Sequence, residues 1–258
     1  MLQRIISGLV IAALFIPPVF LSDKRWLIAV GLVVVVLATQ EYIEATNTSQ
    51  VFFLFTPALY LSVIFQSFVP WVIPIYLILT IGFLLFASIF VIQNRTTNKW
   101  THVIFMTLFL GIGAGAIVYL DVLSFHALVY LVFIIAFTDI FAYFFGIKFG
   151  KHKLAPLISP KKSIEGLIAG TIIGASTGIL YTQLRPVPVV SELPLLWIIG
   201  LSILLSLLGQ LGDLFASKIK RAQNIKDFGD LFPGHGGLLD RFDSLCMSAL
   251  LYFIIVSL

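Results

Sequence analysis

Charge is scarce in this chain: Asp, Glu, Lys and Arg make up 11% of it, against about 25% in soluble domains. Apolar residues make up 60% and the mean hydropathy is +1.08. Polar groups this few cannot cover a compact fold, so lipid must be the solvent for most of the surface. Long polar stretches are also missing, which excludes a separate soluble domain and leaves residues 1–258 as one membrane domain. There is one cysteine, Cys246, so neither an intramolecular disulfide nor a cysteine-based zinc cluster can form. Cys246 lies in an apolar run and reads as a small core or lipid-facing side chain. A small-x-small cleavage site is absent after Ile5–Leu21, so that segment reads as a first span despite its resemblance to a signal peptide.

What remains is a run of apolar segments punctuated by basic ones. Hydropathy predicts nine membrane helices, at 5–21, 26–45, 51–68, 71–93, 102–120, 126–146, 163–184, 194–216 and 245–258. The expected fold is an all-α, polytopic helix bundle. Small residues share a helix face at Gly111, Gly113 and Gly115, and again at Gly166, Gly170 and Gly174. Such stripes predict close helix packing, within the chain or between the subunits of a homodimer. With the N-terminus inside, 13 of the 16 Lys and Arg residues lie on the cytoplasmic side. Only Lys24, Arg25 and Arg185 fall outside. The net charge of +4 sits beside apolar segments, which points to membrane lipid headgroups and phosphates rather than nucleic acid. The basic loops 147–162 and 217–244 then share the cytoplasmic face of a cell (inner) membrane.

Most of the chemistry is concentrated between the last two spans. Residues 212–243 hold five acids, five bases, a histidine and several glycines. If the eighth helix runs on to Arg221, then Asp213, Ser217, Lys220 and Arg221 share one face. A carboxylate about one turn inside the membrane boundary is costly unless paired or bound to a cation, so Asp213 is a functional candidate. Asp240 and Asp243 would open the ninth helix on one side. Three clustered carboxylates repel one another, and a hard cation such as Mg²⁺, with room for a second cation, is the usual remedy. Helix capping would also account for Asp240 and Asp243. The glycine-rich turn Pro233–Gly237 offers backbone N–H groups to phosphate, with His235 at its centre. Ser159, Lys161 and Lys162 precede a helix start, a natural anion site. Asp139 is expected to be buried in the sixth span, with a metal-linked role or an ion pair.

The run Ser217-x-Ile-Lys-Arg-x4-Lys-Asp-x-Gly-x2-Phe-Pro-x-His-Gly-Gly-Leu-x-Asp-Arg-Phe-Asp243 resembles the signature of phosphatidate cytidylyltransferases, the CDP-diacylglycerol synthases. Upstream, Asp139–Gly146, Phe149-Gly-Lys151 and Ile158–Gly166 are similar to the same family. The motifs cover roughly residues 100–258; the first four spans match only in hydropathy. Two departures are visible: Ser163 where Thr is common, and Ala216 where Glu often stands. The resemblance implies transfer of CMP from CTP to phosphatidate, giving CDP-diacylglycerol and pyrophosphate with Mg²⁺ required. It implies Asp213, Lys220, Arg221, Asp240 and Asp243 as catalytic residues, the three aspartates as metal ligands. Ser159, Lys161, Lys162, Ser217, Lys226, Asp227, His235, Gly236, Gly237 and Arg241 would bind substrate, with Asp139 and Asp230 as further candidates. A CTP-dependent polyprenol or lipid kinase would use similar apparatus. A transporter would instead place its polar groups near the midplane, with a half-repeat that is missing here.

Overall fold

A computed structural model of the chain describes Pro17 and residues 24–47, 52–65, 73–92, 99–231 and 236–257. Eight helices occupy these residues: α1 (Arg25–Thr46), α2 (Phe52–Ile64), α3 (Ile73–Ile92), α4 (Lys99–Leu123), α5 (Phe125–Phe149), α6 (Ile164–Leu184), α7 (Leu195–Ala222) and α8 (Leu239–Ser257). They match eight of the nine expected spans; the first, 5–21, lies outside the described residues except for Pro17. Five of the described helices are long and apolar enough to cross a membrane: α1, α5, α6, α7 and the Val103–Leu123 part of α4. The outward faces of the bundle carry large apolar side chains, among them Leu54 of α2, Ile78 of α3, Ile172 of α6 and Trp197 of α7, as a lipid-facing surface requires.

The segment 147–162 is not the plain loop expected from hydropathy. Helix α5 continues to Phe149, and two strands, β1 (Lys153–Ala155) and β2 (Ser159–Ser163), pair antiparallel with Lys153 opposite Ser163. Past Phe149 the chain turns back on itself, and the hairpin satisfies its backbone groups locally. Ser163 then caps α6, its Oγ accepting the Gly166 N–H at 3.1 Å.

Both glycine stripes are used inside the chain. A Cβ on Gly166 would stand 2.5 Å from the Ala142 carbonyl, and one on Gly170 2.6 Å from that of Thr138. Helix α6 can therefore lie directly on α5, which brings β2 against the end of α5. Gly111 and Gly115 likewise receive α2, while Gly113 packs on Cys246 of α8. Between α5, α6 and α7, hydrogen bonds replace water within the apolar layer. Thr138 Oγ1 lies 2.7 Å from Ser206 Oγ, Tyr130 Oη 2.8 Å from Ser202 Oγ, and Gln210 Nε2 donates to Thr171 Oγ1 at 3.0 Å. Each such bond contributes roughly 0.6 kcal/mol in a membrane. Together they fix the rotation of α7 and so the direction its last turns face.

Helix α7 has 28 residues, roughly 42 Å at 1.5 Å per residue, longer than the ~30 Å hydrocarbon layer. Its final turns can therefore carry Lys218, Lys220 and Arg221 past the apolar region. The end of α7, the start of α8, the hairpin, and the C-terminal ends of α1, α3 and α5 meet at one polar end of the bundle.

A candidate active site at the polar end

A cavity of about 860 Å³ opens between α5, the hairpin, α6, α7 and α8. Its wall includes Asp139, Lys161, Lys162, Asp213, Lys220, Asp227, Asp240, Arg241 and Asp243, nine of the residues singled out from sequence. Tyr143, Lys153 and Gln210, which the sequence did not mark, line it as well. Asp139 stands within α5, as expected, and its side chain opens on this cavity. A carboxylate that faces a cavity lined by cationic side chains avoids the cost of facing lipid.

Two ion pairs cross the cavity wall. Lys162 Nζ of β2 lies 2.7 Å from Asp213 Oδ2 of α7, and the Ser217 hydroxyl donates to Asp213 Oδ1 at 3.1 Å. Ser217 is thus an orienting partner one turn beyond the carboxylate, as the i, i+4 spacing requires. Lys220 Nζ lies 2.5 Å from Asp240 Oδ1. The other Asp240 oxygen accepts the N–H of Phe228 at 2.9 Å and of Gly237 at 3.1 Å. Asp240 reaches back from the first turn of α8, as the acid of a capping box does, and also forward to the α7–α8 connection. Both the capping and the electrostatic readings of Asp240 therefore apply. Asp243 is buried, and its Oδ1 accepts the Ser244 N–H at 2.7 Å. Gly236 has φ +83°, a conformation that disfavours any side chain, and Asp227 lies alongside it.

Other expected residues sit around the cavity rather than in its wall. Arg221 is exposed, with Nη1 donating to the Ile225 carbonyl at 2.8 Å and Nε to that of Ile158 at 3.4 Å. It ties the α7–α8 connection to the hairpin. Ser159 is half-buried at the start of β2, Lys226 and Asp230 are exposed on the connection, and Gly237 is buried behind it. His235 lies outside the described residues. Ala216 is fully buried, so an acid at that position would be held in the core.

Sequence reasoning missed Glu41, in a helix to which it gave no role. Glu41 of α1 accepts the Leu238 N–H at 3.0 Å through Oε1 and the Leu239 N–H at 3.1 Å through Oε2. It therefore caps α8 from another helix, satisfying two of the donors that every helix start exposes. Gly229 and Gly237 allow this approach, since a Cβ on either would come within 2.7 Å of the Glu41 carboxylate. The signal available in the sequence was an acid inside an apolar span together with glycines at fixed places in the connection.

Comparison with known proteins agrees with this arrangement. The Cytidylyltransferase family model matches residues 2–258. The chain is 33% identical over 246 residues to the phosphatidate cytidylyltransferase of Staphylococcus aureus (strain COL), covering 91% of each chain. It is 32% identical over 244 residues to that of Staphylococcus haemolyticus, again covering 91% of each. To that of Bacillus subtilis (strain 168) it is 42% identical over 119 residues, 46% of this chain and 43% of the relative. This chain belongs to the cytidylyltransferase family.

Proposed function

We propose that the polar cavity is where this chain transfers CMP from CTP to phosphatidate, and that it opens on the cytoplasmic face. The transfer follows from the family and from relatives of that name matched along most of both chains. The observation that carries the placement is the cavity wall, where five carboxylates and five cationic side chains face one space. Its orientation is supported by the basic segments gathered at that end of the bundle.

In the reaction, an oxygen of the lipid phosphate attacks the α-phosphorus of CTP. The bond from that phosphorus to the bridging oxygen breaks and pyrophosphate leaves. Two polyanions must meet, so screening and orientation matter more than a strong base. Lys162 and Lys220, each paired with a carboxylate, are placed to exchange those partners for phosphate oxygens. Lys161, Lys153 and Arg241 add positive charge along the same wall. Ser217 holds the Asp213 carboxylate while Lys162 moves, and Asp240 keeps the connection folded over the cavity.

The formal charges of that wall cancel, so a triphosphate and a lipid phosphate bring negative charge that its own side chains do not balance. Mg²⁺ fits this shortfall, since it is held by one or two carboxylates with substrate phosphates and water completing its shell. Among the described residues no three His, Cys, Asp and Glu side chains form a group that could hold a metal, so Asp213, Asp240 and Asp243 are not gathered as the three-carboxylate site expected from sequence. Asp213 and Asp243, on facing helices, would hold it; Asp240, already accepting three hydrogen bonds, would join only by giving one up. When bound, the cation would neutralise phosphate charge and polarise the reacting phosphorus. Both glycine stripes pack within the chain, so a homodimer would use other faces of the bundle.

CTP labelled in the base tests the reaction in purified enzyme. The label is expected in the lipid product, whereas entry of γ-phosphate label alone would indicate a lipid kinase. Lys162→Ala should raise the Michaelis constant for CTP or phosphatidate by about tenfold with folding retained; unchanged constants for both would remove the hairpin from the site.

A further inference from the structure

A second cavity, of about 560 Å³, adjoins the first and is lined entirely by apolar residues of α1, α4, α5, α8 and the residue before α8. On α1 its wall runs from Leu27 to Ala38, a length of roughly 16 Å. It is thus an elongated slot, within the size range of small-ligand sites, about 300–1,000 Å³. The two cavities share a boundary. Along α5, Val132 faces the apolar slot, while Ile135, one turn nearer the polar end, and Asp139, two turns nearer, face the polar cavity. Along α8, Leu239 and Phe242 face the slot, Asp240 and Asp243 face the polar cavity, and Leu245 lines both.

We propose that the apolar slot holds one acyl chain of phosphatidate while the lipid phosphate lies in the polar cavity, with Leu245 at the passage between them. The inference rests on the assignment of the polar cavity to CMP transfer and adds a second binding site to it. A wall without a charged or hydroxyl-bearing side chain offers no partner to nucleotide or water. A hydrocarbon chain needs none. The direction also fits, since the slot begins beside the carboxylates and runs toward the opposite end of the bundle, as a lipid's chain runs away from its headgroup. Leaving the bilayer for such a slot brings little hydrophobic gain, because lipid tails are as apolar as the wall. Its contribution is to fix the depth and direction of the lipid phosphate relative to the α-phosphorus, an effect on orientation.

The test compares dioleoyl with dihexanoyl phosphatidate as substrates of the full-length enzyme. Ala114→Phe on α4 and Val132→Trp on α5 would each fill part of the slot. The ratio of kcat/KM for the long-chain over the short-chain lipid is expected to fall about tenfold in both variants. A ratio unchanged within about twofold would overturn the proposal. The wild-type enzyme provides a second route that does not depend on variants folding. Phosphatidate carrying a diazirine on its acyl chain should label Leu128, Val132 or Leu239, and unlabelled dioleoyl phosphatidate should suppress that labelling. Labels confined to outward-facing residues such as Ile78 and Leu85, or labels that competitor leaves unchanged, would contradict it. Failure of the acyl site would leave nucleotide crosslinking at Lys162 and Lys220 intact, whereas failure of the polar-cavity assignment would abolish that crosslinking.

Discussion

At the end of the bundle opposite the cavity, Lys24 Nζ meets Asp121 Oδ2 at 2.5 Å; at the cavity end, Lys220 Nζ meets Asp240 Oδ1 at the same distance. Each pair joins two helices, and each carboxylate is almost fully buried. Their second oxygens differ. Asp121 Oδ1 has no hydrogen-bond partner among the described residues, whereas Asp240 Oδ2 accepts two backbone N–H groups of the α7–α8 connection. Asp121 lines neither cavity, while Asp240 shares a wall with four other carboxylates and five cations. Buried Lys–Asp pairs alone therefore do not mark a site in a membrane protein. Function is marked where pairs open on a common space and their partners can be exchanged for phosphate.

The largest effects are expected from Asp213→Asn and Asp243→Asn. Both keep size and hydrogen bonding but remove charge, so each variant should fold and lose at least about two orders of magnitude in turnover. Near-normal turnover at low Mg²⁺ in both would strip the cavity end of its distinction. Asp240→Asn should behave differently, because it breaks a buried ion pair as well as weakening the hold on the connection. A loss of stability of roughly 2–4 kcal/mol is expected, together with lost activity. Thermal unfolding in detergent would show this, and an unshifted midpoint would mean that Asp240 organises nothing.

Glu41→Ala should reduce kcat by about tenfold with a small change in the Michaelis constant for CTP, since it frees the start of α8 without touching the cations. Glu41→Gln keeps an acceptor oxygen and should recover most of the loss; equal defects in both variants would argue for charge rather than hydrogen bonding. The smallest effect on catalysis belongs to the opposite end. Lys24→Ala leaves the Asp121 carboxylate buried without its cation, costing about 2–4 kcal/mol, while turnover should stay within about twofold. A tenfold loss of turnover there would erase the contrast between the two ends.

The same contrast explains what the sequence disclosed. Span positions were legible because hydropathy acts locally, and Asp213, Asp240 and Asp243 stood out as acids flanking apolar runs. Hydropathy ended the eighth span at 216, and its continuation to Ala222 entered only as the condition under which Asp213, Ser217, Lys220 and Arg221 share a face. Pairing was not legible. That Lys162 reaches Asp213 depends on α6 lying against α5 through Gly166 and Gly170, and that Lys220 reaches Asp240 depends on α8 lying against α7 at Gly212; both are tertiary matters. Arg221 stood among the catalytic residues implied by the resemblance, and nothing in its side-chain type disclosed that Nη1 and Nε would reach the carbonyls of Ile225 and Ile158. Glu41 escaped notice because its partners are backbone groups 197 and 198 residues away, and backbone groups leave no trace in side-chain patterns. The apolar slot was invisible for a related reason: the residues lining it resemble every other apolar residue until the helices are assembled.

The central claim is that CTP is bound and its CMP transferred in the polar cavity, and photocrosslinking tests it most directly. Membranes containing the wild-type chain would be irradiated with a photoreactive CTP analogue, and the labelled peptides mapped by mass spectrometry. The account predicts labelling on β2 around Lys161 and Lys162, on the end of α7 around Lys220, or on the start of α8, suppressed by unlabelled CTP. Specific labelling at the opposite end, around Lys24, Asp121 or Arg185, with those three segments unlabelled, would contradict it.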